Sequence, residues 1–355
     1  MKILAIESSC DETAVAILDG RKSGGKHTLK VLANVVSSQI EIHQQYGGVV
    51  PEVAARCHAE NFMHVFESAL QKAQLKKHEI DCFAVTYGPG LITSLSVGIA
   101  AAKTLSFVLK KPLIAVDHMK GHIYANFIER DLAFAKIFSC LALIVSGGHT
   151  ELVLMKDIEK FEKIGQTLDD AAGEAFDKIA KMLDLGYPGG PVVSRYAENG
   201  DAAKYLFPRP LLKHKNFDFS FAGLKTSVLY FLRDYKKQGK KFTKKFKEDV
   251  CASVQQAIVE CLVVKTIKAA QHHGVKSVIL AGGVSANKEL RLQLGEAVEK
   301  KLAGVEFLRP EFIYCTDNAA MIAAAGYFQY IYSLQRKKFA TAWKFVSPDP
   351  CLDID

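Results

Sequence analysis

Two distant stretches of the chain follow one pattern. Residues 3–18 read ILAIESSCDETAVAIL: an apolar strand, a turn of serine, aspartate and glutamate, a threonine, then a second apolar strand. Residues 142–155 read ALIVSGGHTELVLM, again strand, small polar turn, threonine and strand. Each predicts a β-hairpin whose turn offers small residues and polar side chains to a ligand. After both hairpins, helical patterns alternate with short buried strands, which predicts two related α/β lobes with mixed sheets and a ligand held in the cleft between them. At 355 residues the chain exceeds one typical domain, so two lobes are the natural division.

Three helices are legible from spacing. Val53, Ala54, Cys57, Asn61, Val65 and Leu70 predict one over 50–70. Residues 170–183 set Asp170, Glu174, Asp177 and Lys181 on one face and Ala172, Ala175, Phe176, Ile179 and Leu183 on the other, with Asp169 as the expected N-cap. Residues 318–333 are alanine-rich and almost wholly apolar, which predicts a buried helix started by Thr316 and Asp317. Boundaries are expected near 133–140 and in the polar stretch 233–247.

Three glycine-centred loops follow apolar strands: Tyr87-Gly88-Pro89-Gly90, Val145-Ser146-Gly147-Gly148 and Ala281-Gly282-Gly283. Glycine lets backbone N–H groups approach a phosphate, and a following helix N-terminus favours the negative charge. Any one of them reads equally as a tight turn; together with the repeated hairpin they favour a nucleotide or adenylate site. Tyr187-Pro188-Gly189-Gly190-Pro191 reads on its own as a rigid turn. Residues 20–26, GRKSGGK, have P-loop spacing, but His27 replaces the magnesium-binding hydroxyl and a strand follows, so a solvated turn is expected.

His118 and His122 lie at i and i+4 in DHMKGHIYA, which aims two imidazoles the same way and suits a metal; two unrelated surface histidines are the alternative. A zincin protease would place glutamate directly after the first histidine, and Met119 stands there. Lys236, Lys237, Lys240, Lys241, Lys244, Lys245 and Lys247 crowd one segment with Arg233 and with Tyr235, Phe242 and Phe246. That segment reads either as a solvated connector or as a surface for a nucleic-acid backbone. The net charge of +8 leans towards an anionic partner.

Glu7, Asp11 and Glu12 follow the short apolar start, so no signal peptide is expected, and no apolar run approaches the ~20 residues of a membrane span. Eight scattered cysteines with no Cys-x-x-Cys pair read as reduced thiols of a cytoplasmic protein.

Taken together these residues resemble the universal tRNA threonylcarbamoyladenosine transferase family, once labelled O-sialoglycoprotein endopeptidases. The resemblance runs from Ile3 to about Gly326 through ESSCDET at 7–13, DHMKGH at 117–122, VSGGHTEL at 145–152, DDAAGEAFDK at 169–178, YPGGP at 187–191, FSFAGLKT at 219–226, AGGVSAN at 281–287 and CTDNAAMIA at 315–323; FPRP at 207–210 looks bacterial. It implies a duplicated actin-like fold, the type shared by sugar kinases and Hsp70, with lobes over 1–135 and 136–335, a basic helical insertion at about 190–260 and a tail over 336–355. It implies transfer of threonylcarbamoyl from threonylcarbamoyl-AMP to the N6 amine of adenosine 37 in tRNAs reading codons that begin with adenine. It assigns one metal to His118, His122 and Asp317, and contacts to the acyl donor to Ile144, Val145, Ser146, Gly147, Gly148, Asp177, Gly190 and Asn287. Ser194 stands where some members carry aspartate, and Ile92 to Gly98 departs from the family's VGALLVG. The implied protein partners are an inactive paralogue and a P-loop ATPase.

Acyl transfer from a mixed anhydride already has a good leaving group, so the enzyme positions groups and stabilises charge. Asp11 or Glu12, on the first hairpin turn, is the expected base or orienting group. Two imidazoles and a carboxylate with open positions suit Fe(II), with Zn(II) as the alternative. The rival functions are an ATPase or small-molecule kinase of the same fold, and a non-catalytic tRNA scaffold.

Overall fold

The computed structural model describes residues 1–130, 134–334 and 336–354. The chain folds into two compact units, one of residues 1–137, 157–161 and 310–355, the other of residues 138–156 and 162–309.

In the first unit β1 (Lys2–Glu7), β2 (Glu12–Ser23) and β3 (Lys26–Ser38) form an antiparallel meander. The β2–β3 turn is Gly24-Gly25, both at positive φ, so the P-loop-like residues form a hairpin turn as expected. There follow α1 (Ile40–Gln44), α2 (Pro51–Ala73), β4 (Cys82–Gly88), α3 (Ile92–Leu109), β5 (Leu113–Asp117), α4 (His118–Tyr124) and α5 (Phe134–Ile137). The sheet order is β3-β2-β1-β4-β5, with β1, β4 and β5 parallel. Ile3 to Ile6 are wholly buried, the continuous apolar pattern of a strand covered on both faces.

The second unit repeats this plan. It holds β6 (Cys140–Val145), β7 (Thr150–Asp157), β8 (Lys160–Gln166), α6 (Ala172–Met182), α7 (Gly189–Ala197), α8 (Ala222–Lys237), α9 (Lys244–His273), β9 (Ser277–Ala281), α10 (Lys288–Lys301) and β10 (Glu306–Leu308). Its sheet order, β8-β7-β6-β9-β10, matches the first sheet strand for strand, and β6 pairs antiparallel with β7 and parallel with β9. The repeated hairpin read from sequence is therefore one corner of a duplicated α/β unit.

The last helix, α11 (Ala319–Tyr332), packs in the first unit against β1, β2, β5 and α4. This departs from the expected lobe over 136–335: the chain leaves the second unit at Arg309. The cause is visible in the helix, since Ala319 through Phe328 are all buried and such a helix needs apolar cover on every side. Residue 133, at the edge of the boundary expected at 133–140, and Gln335, the expected end of the second lobe, lie outside the described residues. The stretch 190–260 is no separate insertion either, because Val193, Leu224, Val228, Val250 and Ile258 belong to the second unit's core.

Two helices, α3 and α9, are long and apolar enough by length and composition to cross a bilayer, although neither stood out as an apolar run in the sequence. Most of α9 is buried among its neighbours, while α3 packs on β4 and α2 and exposes Thr93, Ser96 and Thr104.

Candidate metal and ligand sites

In the first unit, β5 ends at Asp117, whose carboxylate accepts the backbone N–H groups of Met119 (2.8 Å) and Lys120 (3.3 Å) and so caps α4. That cap sets His118 at the first helical position and His122 one turn on. Asn318 accepts the Met321 N–H at 3.1 Å and caps α11, leaving Asp317 just outside the helix. This corrects the expectation that Thr316 and Asp317 start the helix. A glycine at 121 lets α4 approach α11 closely; a Cβ there would meet Ile322 at 2.8 Å.

The result is convergence. Asp317 Oδ1 lies 3.4 Å from His118 Nε2 and 3.2 Å from His122 Nε2, and all three ligand atoms lie within 4.8 Å of one another. His122 is 1% exposed; its Nε2 faces Asp317 Oδ1, and among the described residues its Nδ1 has no hydrogen-bond partner. Two buried imidazoles and a carboxylate that converge in this way form a donor set that suits a divalent metal. Burial alone would raise the Asp317 pKa, but His118 and His122 outweigh it and hold that carboxyl far below the usual range. Burial alone would lower the His118 pKa; Asp317 and Glu7 on either side hold it well above its ordinary value.

Glu7 was not singled out from sequence. It closes β1, is fully buried, and has an oxygen 3.1 Å from His118 Nδ1. The signal was present: an acidic residue directly after four buried apolar ones must find donors.

Asp11 ends the turn between β1 and β2, and Glu12 opens β2. The Asp11 carbonyl accepts the Gln39 N–H at 3.0 Å, and the Ser38 hydroxyl donates to Glu12 Oε1 at 3.3 Å. Burial, with Asp317 and Asp11 adding negative charge, pushes the Glu12 pKa up to about 10. Glu12 thus carries a proton at neutral pH. Beneath the turn, His58 Nε2 donates to the Cys10 carbonyl (3.1 Å) and Nδ1 accepts from the Thr13 hydroxyl (2.7 Å).

The glycine loop at 88–90 is no open cradle. Asp349 N–H donates to the Tyr87 carbonyl at 2.7 Å, and a Cβ on Gly90 would meet the Ser9 carbonyl at 2.6 Å. It is a close-packed junction of the first unit, filled by residues 349–350.

In the second unit, Ile144 and Val145 are buried strand residues. The turn is closed by His149 N–H donating to Ser146 Oγ at 3.0 Å and Ser146 N–H donating to the His149 carbonyl at 2.8 Å. Gly147, Gly148, Gly190 and Gly283 each face open space where a side chain would stand. Gly173 packs on the Ser146 backbone and Gly282 on that of Val145, so α6 and the loop after β9 both adjoin the β6 turn.

Asp177 holds α7 in place. Its Oδ1 accepts the Gly189 N–H at 2.6 Å, with a further bond from Gly190; burial raises its pKa and these bonds only partly offset that. Asn287 is likewise engaged: Oδ1 caps α10 at Leu290 N–H (2.9 Å) and Nδ2 donates to Gln255 Oε1 (2.8 Å). Ser194, Gln255, Gln256, Lys288 and Glu289 line a cavity of about 360 Å³ beside it. Asp169, expected to cap α6, instead accepts Phe221 N–H (2.7 Å) and Ala222 N–H (3.1 Å) at the start of α8. Its neighbour Asp170 pairs with Lys178 and Lys225.

The lysine run spans the end of α8 and the start of α9. Tyr235, Phe242 and Phe246 stack on one another, 3.9 Å between the Tyr235 and Phe246 ring centroids, and so form the inner side of the segment. Lys245 pairs with Asp249 at 2.9 Å and Lys244 lies 3.9 Å from Glu248. Lys240 lies over the Tyr235 ring and Lys236 over Phe242. Among the described residues, Lys237 and Lys241 make no ion pair, and both are exposed.

A family model described as tRNA N6-adenosine threonylcarbamoyltransferase matches residues 30–324. Proteins of that name are similar along nearly their full length. The one from Kosmotoga olearia is 51% identical over 328 residues, 92% of this chain and 93% of its own. The one from Thermosipho africanus is 50% identical over 328 residues, covering 92% and 94%. Among solved structures, full-length HypF in its phosphate- and nucleotide-bound form covers 94% of this chain with TM-score 0.58 and 14% identity. HypF from T. kodakarensis covers 93% with TM-score 0.60 and 15% identity. The chain spans about half the length of those HypF chains (47% and 48%), and the likeness concerns the fold alone, the duplicated actin-like architecture.

Proposed function

Because the chain belongs to the tRNA N6-adenosine threonylcarbamoyltransferase family and is a tRNA-modifying transferase, we propose that its acyl donor is threonylcarbamoyl-AMP and its acceptor the N6 amine of adenosine 37, in tRNAs reading codons that begin with adenine. The observation that carries the chemistry is the convergence of His118, His122 and Asp317. These three would hold one divalent metal, Fe(II) first and Zn(II) as the alternative, which when bound supplies positive charge to the donor's oxygens.

The remaining chemistry falls to the chain's own groups. The space beside Gly147, Gly148 and Gly283, where no side chain stands, lets the adenylate's phosphate approach the backbone there. Asp177 acts through Gly189 and Gly190, keeping the first turn of α7 in place, and Asn287 acts from the N-cap of α10. In the transfer, N6 attacks the carbamoyl carbon, the bond to the phosphate oxygen breaks, AMP leaves and N6 loses a proton. Asp11 or Glu12, side by side where the chain enters β2, is the proposed acceptor for that proton. The exposed lysines about the α8–α9 loop are the surface offered to tRNA phosphates. An inactive paralogue and a P-loop ATPase are the expected protein partners, and the cytoplasm the expected compartment.

The test is to incubate the chain with threonine, bicarbonate, ATP, an adenylate-forming enzyme and unmodified tRNA, then to digest the tRNA and analyse its nucleosides. Threonylcarbamoyladenosine that depends on the chain supports the assignment; its absence with every helper present refutes it.

A further inference from the structure

The buried surroundings of Glu7 fix which nitrogen His118 presents. Three polar groups face the two carboxylate oxygens: Ser9 N–H donates to Oε1 at 2.6 Å, the Thr86 hydroxyl donates to Oε2, and His118 Nδ1 lies 3.1 Å from Oε2. Glu7 and Thr86 are fully buried and His118 nearly so, which makes a mismatched pair costly. An ionised carboxylate only accepts, so Nδ1 must carry a proton. That leaves the Nε2 lone pair, on the side of Asp317, for coordination. Ser9 Oγ lies 3.2 Å from the same Nδ1, within reach as a second acceptor.

We propose that Glu7 is a positioning residue for the metal centre: it holds the proton on His118 Nδ1 and thereby makes Nε2 the coordinating atom. The inference rests on the assignment of a metal to His118, His122 and Asp317. Its sharpest consequence concerns Glu7→Gln, which changes almost no volume. An amide has one accepting end and one donating end. The Ser9 N–H can only donate, so the Gln oxygen must face it and the NH₂ must face Thr86 and His118. The Thr86 hydroxyl can rotate and accept. The NH₂ then opposes the Nδ1 proton and favours its move to Nε2, which weakens coordination there and leaves Ser9 Oγ as the remaining acceptor on the Nδ1 side. Thr86→Val removes one donor from Oε2 and leaves the Glu7–His118 bond intact.

The experiment uses the full chain and Zn²⁺ alone, with affinity measured by competition against a chromophoric chelator and histidine ¹⁵N spectra recorded on the zinc-loaded protein. The expected result is a proton on His118 Nδ1 and zinc on Nε2 in the wild type. Glu7→Gln should bind zinc about 10- to 100-fold more weakly, and Thr86→Val within about threefold of wild type. A Glu7→Gln variant with native circular dichroism and wild-type zinc affinity overturns the proposal. So does a wild-type spectrum with Nε2 protonated and Nδ1 ligated, which decides the matter even if the variant fails to fold. A wild-type chain that binds no zinc overturns the metal assignment itself, an outcome distinct from tight binding that is insensitive to Glu7.

Discussion

The lysine run yields a quantitative prediction once the paired lysines are set apart from the free ones. Lys244 and Lys245 already sit against Glu248 and Asp249, so removing their charge leaves two largely buried carboxylates uncompensated and confuses binding with stability. Among the described residues, Lys237, Lys240 and Lys241 have no carboxylate partner, and these exposed lysines can meet phosphates. Changing these three to glutamine should leave the Tyr235–Phe242–Phe246 stack in place, because the rings hold one another. Each phosphate contact contributes about 0.7–0.9 to the slope of log affinity against log salt, so three lost contacts flatten it by about 2 to 3 units. If the electrostatic attraction vanishes near 1 M salt, tRNA affinity at about 0.15 M falls by roughly a hundredfold. The assay is tRNA filter binding across a salt series, with and without partner proteins, alongside a measurement of acyl-donor binding. An unchanged salt slope in the triple variant, or a loss of acyl-donor binding with it, would refute the assignment of this surface to tRNA.

Asp177→Ala removes the acceptor for the first N–H groups of α7, so it should cost about 1–3 kcal/mol of stability and also raise the KM for the acyl donor; a raised KM with an unchanged Tm would show a direct ligand contact instead. For Glu12, folding raises the pKa from an ordinary 4.5 to about 10, so the folded chain keeps a proton that the unfolded chain releases. That contribution to stability is full below about pH 4.5 and declines as pH rises towards 10. Glu12→Gln should therefore flatten the urea midpoint between about pH 5 and pH 9, and a profile parallel to wild type would contradict the assigned protonation. Gly121→Ala forces a Cβ to within 2.8 Å of Ile322 and should cost about 1–3 kcal/mol while weakening zinc binding, since it moves α4 against α11; wild-type zinc affinity would show that the approach of these helices does not set the site.

Much of the fold was legible because a duplicated hairpin leaves the same sequence twice: an apolar run, a small polar turn, a threonine and a second apolar run. The helices at 50–70, 170–183 and 318–333 were found for the same kind of reason, and their observed spans are Pro51–Ala73, Ala172–Met182 and Ala319–Tyr332. The return of α11 to the first unit was not legible, since an all-apolar helix announces burial but not which sheet it covers. At the metal site, His118 and His122 announced themselves by spacing, whereas Asp317 lies far along the chain and was assigned only through the family motif. Glu7 was missed because two of its partners, Thr86 of β4 and His118 of α4, are far along the chain and only folding brings them to it. Asp177 and Asn287 look from sequence like free polar groups, and their use as caps depends on where Gly189, Leu290 and Gln255 end up. The aromatic residues among the lysines pack on one another, a contact that spacing alone does not show.

The most direct measurement supplies preformed threonylcarbamoyl-AMP, labelled in its threonine, to the chain and its partner proteins under single-turnover conditions. Two tRNA transcripts that differ only in adenosine or guanosine at position 37 serve as acceptors. The expected result is label in the adenosine transcript as threonylcarbamoyladenosine, none in the guanosine transcript, and none in either with Asp317→Ala. Equal labelling of both transcripts, or transfer undiminished in Asp317→Ala, would contradict the assignment of acceptor and metal site together.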